Sequence, residues 1–304
     1  MSIAEQNTPV RPLAGSLYGE FLSRVRSVVA ERLEGLLGPV ETWIDQAALS
    51  PGKMLRTRLA GRLLEATGSA DRETLAHCCA ACELVHTASL CHDDVIDGGR
   101  VRRAAPALWC DVGVTSAVLL GDALLCESVD VVATAADGRH TRRFLAAVRE
   151  VLIAEAEQEL LGRAAGTDER ACLRLARGKT GPLFGFVAGL CGGGAVRLSG
   201  ILREVGYAIG TSYQLIDDLL DIAGDEAKCG KTLGTDRQRH TLTLAQGRPD
   251  AGPLILGMVR TIWASALGRL APWPAVQQQA RLFLENDLRP LLHEQGIEPD
   301  PKGL

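Results

Sequence analysis

The chain has 304 residues, of which 46% are apolar and only 4% aromatic, and its many Ala and Leu residues favour helix. A formal net charge of −4 gives no electrostatic reason to expect nucleic acid binding. Nine cysteines without a disulfide-like spacing indicate a reducing, intracellular compartment. We find no signal peptide, and charged residues interrupt the most apolar stretches, so we expect a cytoplasmic protein without a transmembrane segment.

Helical patterns dominate the chain and are interrupted by glycine and proline, whereas alternating β-strand patterns are scarce. These patterns predict ten to twelve helices joined by short loops, which is an all-α fold. Since no linker is long enough to divide the chain, we expect one domain over 1–304. Its ends, about 1–12 and 296–304, are expected to be loose.

The first charged pattern follows the break at Pro51-Gly52, where a helix is predicted to begin. Lys53 and Arg56 lie three positions apart there. A helix N-terminus with two cations is a potential anion site, although two surface cations explain the pattern equally well when it is taken alone.

The first acidic motif, Asp93-Asp94-Val95-Ile96-Asp97, ends the helical pattern Cys82–Ile96. Asp93 and Asp97 stack on one face, and His86 lies two turns before Asp93 on the same side. By spacing alone, His86 and three preceding cysteines could form a zinc site, but cysteine in an Ala/Leu-rich helix is ordinarily a small core residue. These cysteines are Cys78, Cys79 and Cys82. Gly98-Gly99 then ends the helix, so that the arginines that follow can fold back towards a bound phosphate.

A second motif of the same form, Asp217-Asp218-Leu219-Leu220-Asp221, lies in the helical pattern Tyr207–Ile222. With Gln214, its aspartates form a polar stripe that repeats every three to four residues. One such motif could be a solvated surface. Two copies on apolar helices, both followed by cations, instead indicate a site for positive charge, and oxygen ligands at this density suit magnesium.

Magnesium held by carboxylates neutralises phosphate oxygens and makes diphosphate a better leaving group. Apolar helices around such a site would suit a hydrocarbon chain and exclude water from a carbocation. The combination predicts ionisation of a prenyl diphosphate to an allylic cation.

The ordered motifs resemble the trans-isoprenyl diphosphate synthase family, the polyprenyl synthetases. They are Gly52-Lys53-x-x-Arg56, Leu84 to Asp97, Arg102-Arg103, Gly121-Asp122, Lys179-Thr180, Tyr213 to Asp221, Gly230-Lys231 and Asp236. The resemblance implies an all-α, isoprenoid synthase-type helical bundle around a central cavity, usually a homodimer. It also implies about three magnesium ions and head-to-tail condensation of isopentenyl diphosphate with an allylic prenyl diphosphate.

Carried over by position, the resemblance assigns each candidate residue a role. Isopentenyl diphosphate would be bound by Lys53, Arg56, His86 and Arg103. Magnesium would be held by Asp93, Asp94, Asp97, Asp217, Asp218 and Asp221. The allylic diphosphate would be held by Arg102, Lys179, Gln214 and Lys231, and Thr180 would line the cation pocket. The residues expected to act in catalysis are Asp93, Asp94, Asp97, Lys179, Thr180, Asp217 and Asp218.

The chain departs from the family pattern in three places. Ala104-Ala105 replaces a frequent Gly-Lys, 237–241 is a shortened segment without lysine, and Glu155 to Leu160 lacks a usual Gln. These departures concern closure over the diphosphate. Ala88 and Ser89 are small where short-chain members place aromatic residues, which favours a product longer than C15.

Three other functions remain open at this point. A terpene cyclase shares the fold but does not need an isopentenyl diphosphate pocket. A metal-dependent phosphohydrolase could use His86, His92 and Asp93, and would leave the second motif unexplained. A non-catalytic subunit of a heteromeric synthase typically loses aspartates, whereas this chain keeps all six.

Overall fold

The fold comes from a computed structural model, which describes residues 16–38, 49, 51–68, 71–162, 169–223, 232–233, 242–245, 248 and 250–294. The ends expected to be loose, 1–12 and 296–304, lie outside these residues. So do Lys231, Asp236 and the shortened segment 237–241.

The described residues are almost entirely helical. Their α-helices are α1 Leu17–Leu37, α2 Leu55–Thr67, α3 Arg72–Asp97, α4 Leu108–Val112, α5 Val114–Ala135, α6 Gly138–Gly162, α7 Glu169–Leu190, α8 Val196–Ala223, α9 Ala251–Arg269, α10 Pro274–Leu282 and α11 Arg289–Glu294. A six-residue π-helical segment, Phe283–Leu288, joins α10 to α11. Two-residue strands β1 Val101–Arg102 and β2 Ala105–Pro106 pair antiparallel after α3. The all-α prediction is therefore confirmed.

Helix α3 carries the first acidic motif in its last two turns. Its N-terminus is capped by Asp71, whose carboxylate accepts hydrogen bonds from the backbone N–H groups of Glu73 and Thr74. Its C-terminus is ended by Gly98, whose φ of +68° lies in the left-handed region that favours glycine. The C-terminal end at Gly98 agrees with the sequence prediction, whereas the helix begins ten residues before the predicted Cys82. The motif therefore occupies the C-terminal end of a long, mostly buried helix.

Helices α7 and α8 pack closely because glycines line the contact between them. A Cβ atom at Gly206 would overlap the backbone carbonyl of Phe184, and one at Gly210 would lie 2.7 Å from the Thr180 carbonyl oxygen. Across the contact, Gly181 and Gly185 pack against the ring of Tyr207. This approach brings the middle of α7 to the part of α8 that precedes the second acidic motif.

One described helix, α9, is long and apolar enough to cross a membrane by length and composition alone, with a mean hydropathy of 1.2. The core helix of a soluble protein passes the same test. Ile255, Val259 and Trp263 of α9 are almost fully buried in the hydrophobic core, which connects all the longer helices.

The glycine packing leads to a stability prediction. Gly206→Ala should lower the free energy of unfolding by about 1–3 kcal/mol, because the added methyl group meets backbone that cannot move aside. Gly200→Ala on the same helix is the control. With no atom near its Cβ position, it should raise stability by about 0.5–1 kcal/mol through helix propensity. Urea unfolding of both variants measures the difference, and an equal effect of both would contradict the packing argument.

Candidate active site

Lys179 on α7 is the cation at the centre of the site. Its ammonium lies 3.0 Å from a carboxylate oxygen of Glu155 and donates a 2.6 Å hydrogen bond to the amide oxygen of Gln158, both on α6. Burial opposes its positive charge. Glu155, Asp218 and Asp93 nevertheless raise the pKa of the ammonium above its ordinary value. Lys179 is therefore charged, and it connects α3, α6, α7 and α8 electrostatically.

Arg102 on β1 is a second cation at the same place, and it is partly buried. Its Nε–H donates to the Asp94 carboxylate at 3.0 Å, and a second guanidinium nitrogen pairs with the same group. Burial opposes the charge, but Asp94, then Asp217 and Asp93, raise the pKa of the guanidinium. Since aspartates of both motifs act on Arg102, as they do on Lys179, the two motifs share one site.

Thr180 and the second motif are joined by a chain of hydrogen bonds. The Thr180 hydroxyl donates to the side-chain oxygen of Gln214 at 2.5 Å, and the Gln214 amide nitrogen donates to Asp218 at 2.8 Å. Asp218 and Asp221 are both only 7% exposed. Close packing of α7 on α8 thus sets the orientation of the acidic stripe.

The surroundings of Asp93 disfavour the ionised form of its carboxyl group. Burial, followed by the neighbouring Glu155 carboxylate, raises the pKa of Asp93 to about 7, against the attraction of Lys179 and Arg102. A carboxylate in this state is stabilised by an additional cation. The donors that surround it are carboxylate and amide oxygens, which suit a hard divalent ion.

Within the described ranges, no three His, Cys, Asp or Glu side chains are close enough together to hold a metal ion on their own. Magnesium does not require such a cage, since it is typically held by one or two carboxylates, water and substrate phosphates. Asp94 is turned towards Arg102 in this structure. Its role as a metal ligand therefore stays a prediction, as do those of Asp97, Asp217, Asp218 and Asp221.

A separate cluster of basic side chains around His86, called the basic pocket below, lies beside the acidic site. The Arg56 guanidinium lies 3.5 Å from the imidazole of His86 and 5.3 Å from the ring of Phe184, and its buried Nε has no hydrogen-bond partner among the described residues. The Arg103 guanidinium lies against Gly52, where a Cβ atom would be 3.0 Å from it. The predicted cations Arg56 and Arg103 are thus brought together around His86.

The imidazole of His86 is neutral in this pocket. Burial, then the charges of Arg56 and Arg103, lowers the pKa of His86 well below its usual range. A neutral imidazole can donate or accept a hydrogen bond without adding to the charge. The site thus contains a pocket dominated by arginine and, next to it, a region where carboxylates and cations alternate.

Sequence reasoning did not assign a role to several polar residues of the site. In the sequence, Glu155 and Gln158 stand out only as part of a departure from the family pattern, yet they hold Lys179. Gln158 also donates to the Leu242 carbonyl at 3.0 Å. Their spacing, three residues apart on one helix face, was the available signal. Glu83, 2% exposed, accepts a 2.8 Å hydrogen bond from Thr57 below the basic pocket.

Two alternative readings of the histidines lose support. His92 faces α5, where its ring nitrogen lies 3.2 Å from the Val118 carbonyl and 3.3 Å from Asp122, whereas His86 faces Arg56. The two histidines therefore do not form one hydrolytic centre. The cysteines of α3 form no metal cluster with His86 among the described residues and are buried as core side chains.

A family model described as polyprenyl synthetase matches residues 39–246. The chain therefore belongs to the polyprenyl synthetase family. It is 35% identical over 240 residues to the geranylgeranyl diphosphate synthase of Mycobacterium tuberculosis, a match that covers 74% of this chain and 67% of that one. The predicted enzyme class, a transferase of prenyl groups that makes trans-prenyl diphosphates, is confirmed.

Two solved structures extend this likeness to the fold. The polyprenyl synthase from Caulobacter crescentus CB15, complexed with calcium and isoprenyl diphosphate, is 25% identical with a TM-score of 0.61, covering 94% of this chain and 89% of that one. A decaprenyl diphosphate synthase from Rhodobacter capsulatus is 24% identical with a TM-score of 0.70, covering 89% and 96%.

The hairpin that carries Arg102 and Arg103 is strained. Its turn residues Arg103 and Ala104 have φ values of +55° and +59°, as a two-residue turn of type I′ requires. Glycine or asparagine usually occupies such positions, because a Cβ atom disfavours the left-handed region. The replacement of the family's glycine by Ala104 is therefore a departure with a physical cost.

We predict that Ala104→Gly raises the free energy of unfolding by about 1 kcal/mol, since it removes the left-handed strain at this position. Ala105→Gly is the matched control, because Ala105 lies in β2 without a positive φ. It should instead lower stability by about 0.5–1 kcal/mol through backbone entropy. Thermal unfolding checks both, and a loss of stability in both variants would show that the turn is not strained.

Proposed function

We propose that these residues condense isopentenyl diphosphate with an allylic prenyl diphosphate, head to tail, to give a longer trans-polyprenyl diphosphate. The observation that carries this assignment is that both acidic motifs act on the same two cations, Lys179 and Arg102, beside a separate arginine pocket. A condensing enzyme needs two diphosphate sites of this kind, whereas a terpene cyclase needs one.

The allylic diphosphate would occupy the acidic site, held by Arg102, Lys179 and Gln214, with Lys231 from outside the described residues. The residues that would hold magnesium there are Asp93, Asp94, Asp97, Asp217, Asp218 and Asp221. When bound, the metal supplies neutralisation of the diphosphate oxygens. The Caulobacter relative, complexed with calcium and isoprenyl diphosphate, supports divalent metal use. The oxygen donors and the raised pKa of Asp93 fit magnesium, of which we propose about three ions per site.

The reaction starts when the bond between the allylic carbon and the diphosphate oxygen breaks and its electron pair leaves with the diphosphate. Lys179 and Arg102 stabilise the charge that develops on the leaving group, because they are already fixed and desolvated. The Thr180 hydroxyl, held by Gln214, lines the space in which the allylic cation forms.

Isopentenyl diphosphate would bind in the basic pocket through Arg56, His86, Arg103 and Lys53. Its double bond attacks the allylic cation, which forms the new carbon–carbon bond, and a proton is then lost to the released diphosphate. Neutral His86 donates a hydrogen bond to the diphosphate without competing as a base. The guanidinium of Arg56, 3.5 Å from the His86 ring, supplies further charged donors.

We further propose that the protein is a homodimer through the outer face of α5 and α6. Large apolar side chains are exposed there at helical spacing: Leu119 at 61%, Leu152 at 48%, Ile153 at 62% and Leu160 at 69%. Large exposed apolar side chains grouped on two packed helices are typical of an interaction surface. A second copy of the chain is the occupant that the family resemblance implies.

The first functional prediction concerns the acidic motifs. Purified protein with magnesium, isopentenyl diphosphate and a labelled allylic primer should yield longer prenyl diphosphates, and a chelator should abolish them.

Asp93→Ala should lower kcat about a hundredfold or more, since it removes part of the transition-state stabilisation. The fold should be retained, because a carboxylate with a raised pKa disfavours the folded state at neutral pH. Glu31→Ala, which removes an exposed carboxylate on α1, is the control. Full activity in chelator would refute the proposal.

The second functional prediction separates the two diphosphate sites with neighbouring arginines. Arg103→Gln should raise KM for isopentenyl diphosphate about tenfold or more and leave KM for the primer nearly unchanged. Arg102→Gln should do the reverse. Because both variants remove one charge from the same hairpin, a non-specific electrostatic effect would change both constants alike. Steady-state kinetics with each substrate varied in turn measure the two KM values. Equal changes in both KM values would contradict the assignment.

The third functional prediction concerns assembly. Ile153→Glu should convert the dimer to a monomer, because a charge in an apolar interface cannot be solvated. Val196→Glu changes an apolar residue that is 85% exposed at the start of α8, outside α5 and α6, and should leave the dimer intact. Light scattering after size-exclusion chromatography gives both masses. A wild-type monomer would end the proposal.

A further inference from the structure

The backbone directly after Lys53 adopts a conformation that needs external support. Met54, which follows Lys53 and precedes α2, has φ +51° and ψ +42°, in the left-handed region. A residue with a Cβ atom rarely adopts this conformation, and it persists only where surrounding contacts hold it. The Met54 side chain is 3% exposed, so it is anchored in the core.

Arg58 supplies a second anchor, on the other side of this strained residue. Its guanidinium Nε–H donates a 2.9 Å hydrogen bond to the Lys53 carbonyl, and its backbone N–H donates to the Met54 carbonyl at 2.8 Å. Both carbonyl groups of the turn into α2 are thus bound by one residue.

Arg58 is itself held from a distant part of the chain. Its Nη1–H donates to Asp287 at 3.0 Å, and the same carboxylate accepts from Arg62 at 2.8 Å and from the Tyr18 hydroxyl at 2.7 Å. Asp287 is 4% exposed and lies in the π-helical segment Phe283–Leu288. π-Helical segments are rare in proteins, and those that occur often lie at functional sites. A buried carboxylate with three donors is a rigid support for the Arg58 side chain.

The position of this turn matters for the basic pocket as well. Gly52, next to Lys53, lies directly against the Arg103 guanidinium, with 3.0 Å between its Cβ position and that side chain. A shift of the Lys53 backbone would move Gly52 and change the space in which Arg103 lies. Contacts that hold Lys53 therefore also hold the wall of the pocket.

We propose that Arg58 is a positioning residue for the isopentenyl diphosphate pocket. Fastened by Asp287, it fixes the Lys53 carbonyl and so the direction from which the Lys53 side chain approaches the diphosphate. The inference rests on the proposed function, because it takes Lys53 to be a ligand of isopentenyl diphosphate.

Arg62 provides a matched control within the same network. Its side chain is 18% exposed against 17% for Arg58, and both donate to the same Asp287 carboxylate. Arg62 also packs over the Tyr18 ring at 4.2 Å. Among the described residues, however, it makes no hydrogen bond to the turn at Lys53. Removing either guanidinium weakens the support of Asp287, but only the loss of Arg58 frees the Lys53 carbonyl.

The experiment compares Arg58→Met, Arg62→Met and Arg58→Lys with the wild type. Both methionine variants should lower the unfolding temperature by similar amounts. Only Arg58→Met should raise KM for isopentenyl diphosphate, by about three- to tenfold for one lost hydrogen bond, while kcat and KM for the allylic primer stay within about twofold. Arg58→Lys retains the charge but not the planar guanidinium that reaches both partners, so it should raise the same KM.

Two results would overturn the inference. Equal rises in KM for Arg58→Met and Arg62→Met would indicate a general loosening of the fold. A wild-type KM in Arg58→Lys, together with a raised KM in Arg58→Met, would indicate attraction by charge alone.

Lys53→Met, measured in parallel, separates this inference from the proposed function. If Lys53→Met leaves KM for isopentenyl diphosphate unchanged, the pocket assignment fails; if only Arg58→Met is without effect, the positioning role fails. Should Arg58→Met not fold, Arg58→Lys still tests the inference. A raised KM for isopentenyl diphosphate in Arg58→Lys would support the positioning role, and a wild-type KM would overturn it.

Discussion

The structure depends on the need to compensate negative charge inside a helical bundle. Asp93 is buried close to Glu155, and both motifs bring further carboxylates to the same place. Isolated ionised groups are very costly to bury, so this arrangement requires cations at fixed positions. Lys179 and Arg102 fulfil that requirement in the protein itself. A divalent metal and a diphosphate would complete a balance that the side chains only partly achieve.

Helix packing makes this compensation possible. Lys179 and Thr180 reach the second acidic motif because glycines on α7 and α8 let the two backbones approach. The stripe of small residues therefore has an electrostatic consequence as well as a steric one. If α8 were displaced outwards by even a methyl group, the chain of hydrogen bonds from Thr180 through Gln214 to Asp218 would lengthen.

The arginine hairpin directs one cation towards each of the two proposed diphosphate sites. Arg102 is turned towards Asp94 and the acidic motifs, and Arg103 towards Gly52 and the basic pocket. A tight turn with two left-handed residues separates the two side chains and directs them to opposite sides. The strained backbone at Ala104 belongs to the turn that orients Arg102 and Arg103. Backbone strain of this kind is common at functional sites. Thr232 ties this hairpin to the region after the second motif, since its hydroxyl accepts from the backbone N–H groups of Arg100 and Val101.

The sequence by itself determined the helical class, both acidic motifs and the family, because these depend on local properties. A stripe at helical spacing, a capping glycine such as Gly98 and an ordered set of motifs are all readable within one segment. Only the tertiary structure decided which charges meet. The pairing of Lys179 with Glu155 and Gln158, of Asp94 with Arg102, and of Arg58 with Asp287 at a separation of 229 positions could not be read from spacing. The physical reason is that a buried ion pair requires particular helices to pack at a particular distance, and that packing is the sum of many non-local contacts.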